Sequence, residues 1–201
     1  MHGVDIVVHA AALKHVPLGE YNPFEPIQTN ILGTRNVVEA AIDCDVKKAI
    51  LISSDKAVYP VNLYGATKLC AEKLFVQGNV YAGKRKGIFS VVRYGNVLGS
   101  RGSVVPLFFD QRHHKNITIT HKDMTRFFMT ISESCELVIE AAEQGKGGEI
   151  FILDMGSPVN VLNLAQKIIK ESGKEIGIKM IGIRPGETLT EALMTIEEEK
   201  V

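Results

Sequence analysis

Three short runs rich in β-branched and apolar residues, at 4–8, 49–52 and 88–94, alternate with stretches whose apolar residues recur at helical spacing. That alternation admits few folds, because a strand that runs parallel to its predecessor needs a long crossover, normally a helix. Val4 to Val8 reads as a strand buried on both faces. A helix follows from Pro23, with Pro26 in its first turn and Ile27, Ile31, Leu32, Val38 and Ala41 recurring along it. Gly33 inside that helix costs about 1 kcal/mol against alanine, which predicts close packing against a neighbour. Ala49 to Ile52 then closes a parallel βαβ unit, so the chain is predicted to be α/β.

The next helix runs from Tyr64 to Gln77 and is expected to end in Gly78 and Asn79; a basic turn, GKRKG, leads to the strand Ile88 to Tyr94. Beyond Pro106 the alternation weakens. Leu107 to Arg112 reads as helix, Ile117 to Thr120 as strand, Ser132 to Glu143 as a helix capped by Ser132, Gly148 to Asp154 as strand and Val161 to Ser172 as helix. This pattern predicts a parallel-sheet domain over 1–106 and, over 107–201, mainly a smaller α+β substrate-binding lobe that closes on the sheet edge, with elements of the sheet domain interleaved in it. Phe108, Phe109, Phe127 and Phe128 are expected in the core, and His113 and His114 at a solvated helix end.

With 201 residues the chain can fill one sizeable core. Its 23 basic and 23 acidic residues cancel, which leaves no field to recruit nucleic acid or an anionic membrane surface. Cys44, Cys70 and Cys135 are far apart and form no C-x-x-C pair, the pattern of buried thiols in a reducing compartment. The histidines show no ligand spacing, so no metal site is expected. No apolar run approaches the roughly 20 residues of a membrane span, and the first residues lack the features of a signal peptide, so a cytoplasmic protein is the expectation.

In parallel sheets ligands bind beyond the carboxyl ends of the strands, which is where Ser53 to Lys56 falls. Eight residues after Lys56, Tyr64 and Lys68 stand four apart on one helix face, so the ammonium is expected to favour the ionised phenol. Such a tyrosine can exchange a proton with a sugar hydroxyl near neutral pH. Asp55 and Lys56 add an acid and a potential base, which points to proton chemistry beyond hydride transfer. HAAALKHVP, with Ala10, Ala11 and Ala12, suits either the close approach of a flat ligand or the packing of a helix on the sheet. RYGNVLGSRGSVVP carries Arg93, Asn96, Arg101 and three glycines; it reads as an anion-binding loop or, alternatively, as a surface turn.

These segments, together with MTRF and IRPGE, closely resemble the extended short-chain dehydrogenase/reductases and, more narrowly, the inverting UDP-N-acetylglucosamine 4,6-dehydratases that begin pseudaminic acid synthesis, used in flagellin glycosylation. The resemblance implies a Rossmann-like sheet and a lyase reaction. Tyr64, assisted by Lys68, would take the 4-hydroxyl proton while hydride passes to NADP, with NAD possible. Lys56, made partly neutral by burial beside a cationic nicotinamide, would remove the proton on carbon 5, and Asp55 would protonate the departing 6-hydroxyl. A lysine at 56, where relatives that retain configuration usually have glutamate, is the clue to inversion. Ser54 stands where relatives often have threonine. By the same resemblance Ala10, Ala11, Ser53, Tyr64, Lys68, Tyr94, Gly95, Asn96 and Val97 would touch the cofactor. Lys14, Asn96, Val104, Arg184 and Glu187 would touch UDP-N-acetylglucosamine. Relatives commonly assemble into homo-oligomers. The family's opening strand and G-x-x-G-x-x-G turn do not occur in this sequence, which reads as a fragment lacking the first half of the nucleotide-binding fold. A nucleotide-sugar 4-epimerase needs Tyr64 but neither Asp55 nor Lys56. A catalytically silent folding unit is the third reading of the chain as it stands.

Overall fold

In a computed structural model, which describes residues 1–85, 87–100 and 102–200, four parallel strands lie side by side in the order β1 (Ile6–His9), β2 (Lys48–Ser54), β3 (Ile88–Tyr94) and β8 (Ile150–Ile152). The sheet is Rossmann-like, and a smaller α+β lobe follows it. β2 and β3 carry apolar side chains on both faces and are almost wholly buried, as strands covered by helices on both sides must be. β1 departs from this expectation. Val7 packs into the core, but Ile6 and Val8 are 51% and 48% exposed, because the helix on their side of the sheet packs over β2, β3 and β8 instead.

Between β1 and β2 the chain forms α1 (Val16–Tyr21), α2 (Phe24–Pro26), a π-helical segment Ile27–Leu32 and α3 (Gly33–Asp43). The π segment replaces the uniform helix expected from Pro23. Gly33 lies at its end, and a Cβ there would meet only the Gln28 carbonyl at 3.6 Å, so the glycine is not required by packing. Gly78 is the glycine that packing requires. It lies inside α4 (Leu63–Tyr81) rather than at its end, and a Cβ would come within 3.0 Å of the Phe89 ring and 3.1 Å of Val38. Asn79 likewise belongs to the helix; its side chain donates to the Phe89 carbonyl (2.8 Å) and accepts from the Phe89 amide (2.9 Å), which ties α4 to β3.

The short β4 (Asn96–Val97) follows β3, and then come α5 (Val104–Gln111), β5 (Asn116–Ile119), β6 (Thr125–Arg126) and β7 (Phe128–Met129). α6 (Ile131–Gln144) is capped by Thr130, not Ser132: the Thr130 hydroxyl accepts from the Glu133 amide while the Glu133 carboxylate accepts from the Thr130 amide. β9 (Val159–Asn160) pairs antiparallel with β6, and α7 (Val161–Ser172) leads to β10 (Gly177–Met180), parallel to β5.

Three apolar clusters hold these layers. Ala49, Leu51, Phe75, Phe89 and Val91 fill the space between the sheet and α3 with α4. Ile50, Val92, Leu137 and Ala141 join the other sheet face to α6. Phe108, Ile117, Ile119, Ala165 and Ile168 form the core of the lobe. Phe109 is 43% exposed beneath the Arg112 guanidinium, and Phe127 and Phe128 are only partly buried, so Phe108 alone of the four phenylalanines is core. Cys70 and Cys135 are exposed and Cys44 is half-buried, against the expectation of buried thiols.

Phe75 is fully buried, edge-on to Phe89 with ring centroids 5.4 Å apart. Phe75→Ala is expected to lower unfolding stability by about 3–5 kcal/mol in urea titration; a loss below about 1 kcal/mol would show that the helix–sheet core does not centre there.

Candidate active site

β2 ends in Ser54, and the chain turns at once through the single 3-10 turn Asp55–Ala57. Ser54 fixes the turn, since its hydroxyl donates to Asp55 Oδ1 (2.8 Å) and accepts from the Lys56 amide (3.3 Å). The first turn of α4 sits directly on it. Asn62 caps that helix by accepting from the Gly65 amide (2.7 Å), and a Cβ on Gly65 would fall 2.1 Å from the Lys56 carbonyl oxygen. Only glycine permits that approach. It brings Tyr64 to the Asp55–Lys56 turn, a positional demand that the spacing of Tyr64 and Lys68 did not reveal.

The turn meets a carboxylate contributed from far along the chain. Lys56 Nζ lies 3.1 Å from Asp55 Oδ1 and 2.9 Å from Glu191 Oε1. Arg126 Nε, from β6, lies 3.2 Å from the same Glu191 oxygen, and Asn96 Nδ2 donates to Glu191 Oε2 at 3.2 Å. Burial raises the Asp55 carboxyl to about 6; the Lys56 charge opposes the rise, and the Glu191 charge and a hydrogen bond with Glu191 add to it. Burial alone would lower Lys56, yet the charges of Asp55 and Glu191 carry it above the ordinary lysine value. Two carboxylates outweigh desolvation, so among this chain's own groups Lys56 is an ammonium; the expected neutralisation relies on a cationic nicotinamide beside it. Glu191 is itself held below the usual carboxylate range, because Lys56, Asp55 and Arg126 together outweigh its burial.

Tyr64 and Lys68 share a helix face, but they do not form the expected pair. Lys68 Nζ donates to the Ile52 carbonyl at 2.6 Å. Burial raises the Tyr64 phenol, and what opposes the rise is the Lys56 charge and a hydrogen bond with Ser54. Of the charges near the phenol, Lys56 opposes the rise and Asp55 adds to it. Burial lowers Lys68 to about 8, partly offset by Glu72. Beside it Asn30 donates to Thr67 Oγ1 (2.9 Å) and bridges the Leu13 amide and carbonyl, which fixes the loop after β1 against α4.

Two adjoining clefts meet at Lys56 and Asn96. The first, of about 510 Å³, is lined by Asp55, Lys56, Asn96, Val104, Arg184, Glu187 and Glu191. The second, of about 530 Å³, takes Ala10, Ser53, Ser54, Tyr64, Lys68 and Tyr94 to Val97, together with Lys14 and Arg184. Ala12 rather than Ala11 joins Ala10 in its wall. Lys14, expected on the sugar nucleotide, lines this second cleft. Arg184 and Glu187 are held in one turn, the Glu187 amide donating to the Arg184 carbonyl (3.1 Å) and the Arg184 amide to Glu187 Oε2 (3.0 Å). Ser53 Oγ and Ser103 Oγ are buried without a hydrogen-bond partner at the two clefts, free to meet a ligand.

Arg93 is not an anion-binding residue. Its buried guanidinium donates to both Glu72 oxygens (3.2 and 2.8 Å), both Glu198 oxygens (2.9 and 3.1 Å) and the Leu193 carbonyl (2.8 Å), and nothing is left for a phosphate. Arg101 lies outside the described residues. Glu191 and Arg126 are the site residues that sequence reasoning missed. Arg126 stood in the MTRF segment, but no spacing links either residue to Lys56.

The sequence profile described as polysaccharide biosynthesis protein matches residues 1–201. An uncharacterized membrane protein of Methanocaldococcus jannaschii is 55% identical over 98% of this chain and 61% of its own length. An inverting UDP-N-acetylglucosamine 4,6-dehydratase of Campylobacter jejuni is 48% identical over 98% of the chain and 58% of its own length. A UDP-glucose 4-epimerase of Rickettsia felis is 46% identical over the same shares. The chain thus spans about three-fifths of the length of these relatives. Among solved structures, Pen from Bacillus thuringiensis superposes with a TM-score of 0.95 at 46% identity, over all of this chain and 64% of that one. MoeE5 in complex with UDP-glucuronic acid and NAD superposes at 0.86 with 20% identity, over all of this chain and 73% of that one, which shows the shared fold. No helix among the described residues is long and apolar enough to cross a membrane.

The Lys68 amine is expected to titrate near 8, read from methyl resonances after reductive methylation with labelled formaldehyde. The folded chain releases this proton before the unfolded chain does, so its contribution to stability rises as pH increases from about 8 toward the ordinary lysine value. A midpoint at the ordinary lysine value would contradict the buried placement.

Proposed function

The chain belongs to the family of polysaccharide biosynthesis proteins, and from that premise we propose that it carries the catalytic residues of an inverting nucleotide-sugar 4,6-dehydratase, a lyase acting on UDP-N-acetylglucosamine. The observation that carries this reading is the Asp55–Lys56 turn: a carboxyl held protonated to about 6 and an ammonium, side by side in the cleft that Tyr64 adjoins. A 4-epimerase needs no second acid beside the tyrosine. The identity with the Campylobacter dehydratase supports the reading, and the identity with the Rickettsia epimerase makes 4-epimerisation its rival.

NADP, or NAD in its place, fits the second cleft, where the unpaired Ser53 hydroxyl, Tyr64, Lys68 and the Tyr94 to Val97 segment would hold its reactive end. When bound it supplies an acceptor for hydride from carbon 4 and a donor of hydride to carbon 6. Tyr64, whose phenol burial keeps protonated, must first release its own proton, which the Lys56 charge favours, and then receives that of the 4-hydroxyl. The ketone so formed acidifies the hydrogen on carbon 5. Asp55, raised to about 6 by burial so that its acid form is accessible near neutral pH, gives its hydrogen to the departing 6-hydroxyl. Lys56 exchanges the proton at carbon 5, and because it rests as an ammonium it must first release its own. Arg184, Glu187, Asn96 and Val104 line the cleft that would take the sugar nucleotide, while Lys14 reaches it from the neighbouring wall. A cytoplasmic homo-oligomer acting in pseudaminic acid synthesis is consistent with this chemistry.

With the full-length gene product and UDP-N-acetylglucosamine, mass spectrometry is expected to show a product lighter by one water, and Lys56→Ala to slow its formation about 100-fold or more. An unchanged mass, with the 4-epimer formed as fast by Lys56→Ala as by the parent, would establish the epimerase instead.

A further inference from the structure

Glu191 has no part in the scheme above, yet its side chain is only 5% exposed and lines the cleft that holds Asp55 and Lys56. A carboxylate is costly to bury unless it is paired, and this one is paired three times, with Lys56, Arg126 and Asn96. Its segment is held in place from behind. Arg93 takes the Leu193 carbonyl and the Glu198 carboxylate, and the Tyr59 hydroxyl accepts from the Ile196 amide at 2.9 Å. Across from Glu191, Asp55 Oδ1 accepts from Ser54 and Lys56, but Asp55 Oδ2 is buried and receives no hydrogen bond. A buried carboxyl oxygen without a donor is relieved when it carries the hydrogen itself and gives it to an acceptor. The Glu191 carboxylate is the acceptor within reach.

We propose that Glu191 is the proton partner of the Asp55–Lys56 pair: it accepts the hydrogen bond of protonated Asp55 and provides, across their 2.9 Å contact, the route by which the Lys56 ammonium gives up its proton. The inference rests on the dehydratase reading for its use in turnover, but not for its geometry. In the elimination a Lys56 Nζ–H bond breaks as a Glu191 Oε1–H bond forms, an uphill transfer because Lys56 is held above and Glu191 below its ordinary value, which leaves a small fraction of neutral amine to react. The amine pair takes the hydrogen of carbon 5, the C5–H electrons become the second C5–C6 bond, and the C6–O bond breaks. The oxygen leaves as water with the Asp55 hydrogen. Afterwards Glu191 holds a proton beside an ionised Asp55, and transfer between the two restores the acid. Glu191 acts through its neighbours and is a positioning residue.

The groups that face Asp55 are Lys56 and Ser54 on its own segment, Tyr64 from α4 and Glu191 from the C-terminal segment, with Arg126 of β6 behind Glu191. Of these only Glu191 adds a negative charge, so its neutralisation must lower the Asp55 midpoint. Carbon-detected NMR titration of the side-chain carboxyls reads this without any turnover. In the unsubstituted protein Asp55 is expected to titrate at about 6 and Glu191 below the ordinary glutamate value. In Glu191→Gln the Asp55 midpoint is expected to fall by about one pH unit, and in Glu191→Asp to stay raised. An Asp55 midpoint unmoved in Glu191→Gln overturns the proposal. Should that variant fail to fold, the unsubstituted protein decides alone: Asp55 titrating with ordinary aspartates overturns it, and a raised midpoint with Glu191 depressed supports it. If no dehydration is found but the titrations behave as stated, the reading of function fails and the proton pairing stands.

Discussion

Arg93 is a charged side chain 1% exposed in the middle of a parallel sheet, and the site depends on how it is neutralised. A buried guanidinium is tolerated only when its donors are matched, and here every matched partner comes from an element that shapes the clefts. Glu72 belongs to α4, the helix of Tyr64 and Lys68; Glu198 and the Leu193 carbonyl belong to the segment of Glu191. One side chain therefore joins the central strand, the tyrosine helix and the C-terminal segment. Removing either carboxylate would leave two of the buried guanidinium's hydrogen bonds unmade, so the three elements are constrained to keep one arrangement.

That arrangement sets the protonation of the site. Glycine at 65 lets α4 rest on the carbonyl of Lys56, Ser54 fixes the turn between strand and helix, and Arg93 delivers Glu191 to its far side. The outcome is a carboxyl, an ammonium and a carboxylate in mutual contact, each shifted by the others and by burial. Desolvation acts on all of them; it sets the direction for Asp55, whereas for Lys56 and Glu191 the opposite charges around them outweigh it. Lys56 has two carboxylates and stays charged, whereas Lys68, with burial dominant and its ammonium on the Ile52 carbonyl, is lowered to about 8.

Much of the fold could be read from local pattern. The strand Ile88–Tyr94 and the helix Val161–Ser172 end where their periodicity ends, because hydrophobic spacing is a local property. Thr130 and Glu133 carry the T-x-x-E signature of a capping box, which Ser132 lacks, so that cap was visible in the sequence too. The site was legible only as far as its residues are close in sequence: Ser53, Ser54, Asp55, Lys56 and Tyr64 fall together as expected. Four-residue spacing places Lys68 on the face of Tyr64, but not where its ammonium reaches, and a carbonyl of β2 took it. An arginine at a strand end reads as an anion ligand until two distant glutamates are seen to saturate it. Glu191 left no local trace, since only the path of the C-terminal segment brings it to Lys56.

Under the proposed function one site oxidises carbon 4 and removes water across carbons 5 and 6. UDP-N-acetylglucosamine deuterated at carbon 4, turned over by the full-length protein and followed by NMR, tests it most directly. Deuterium is expected in the methyl group at carbon 6, with a solvent hydrogen at carbon 5 in inverted configuration. Deuterium that remains at carbon 4, with the 6-hydroxyl intact, would contradict it.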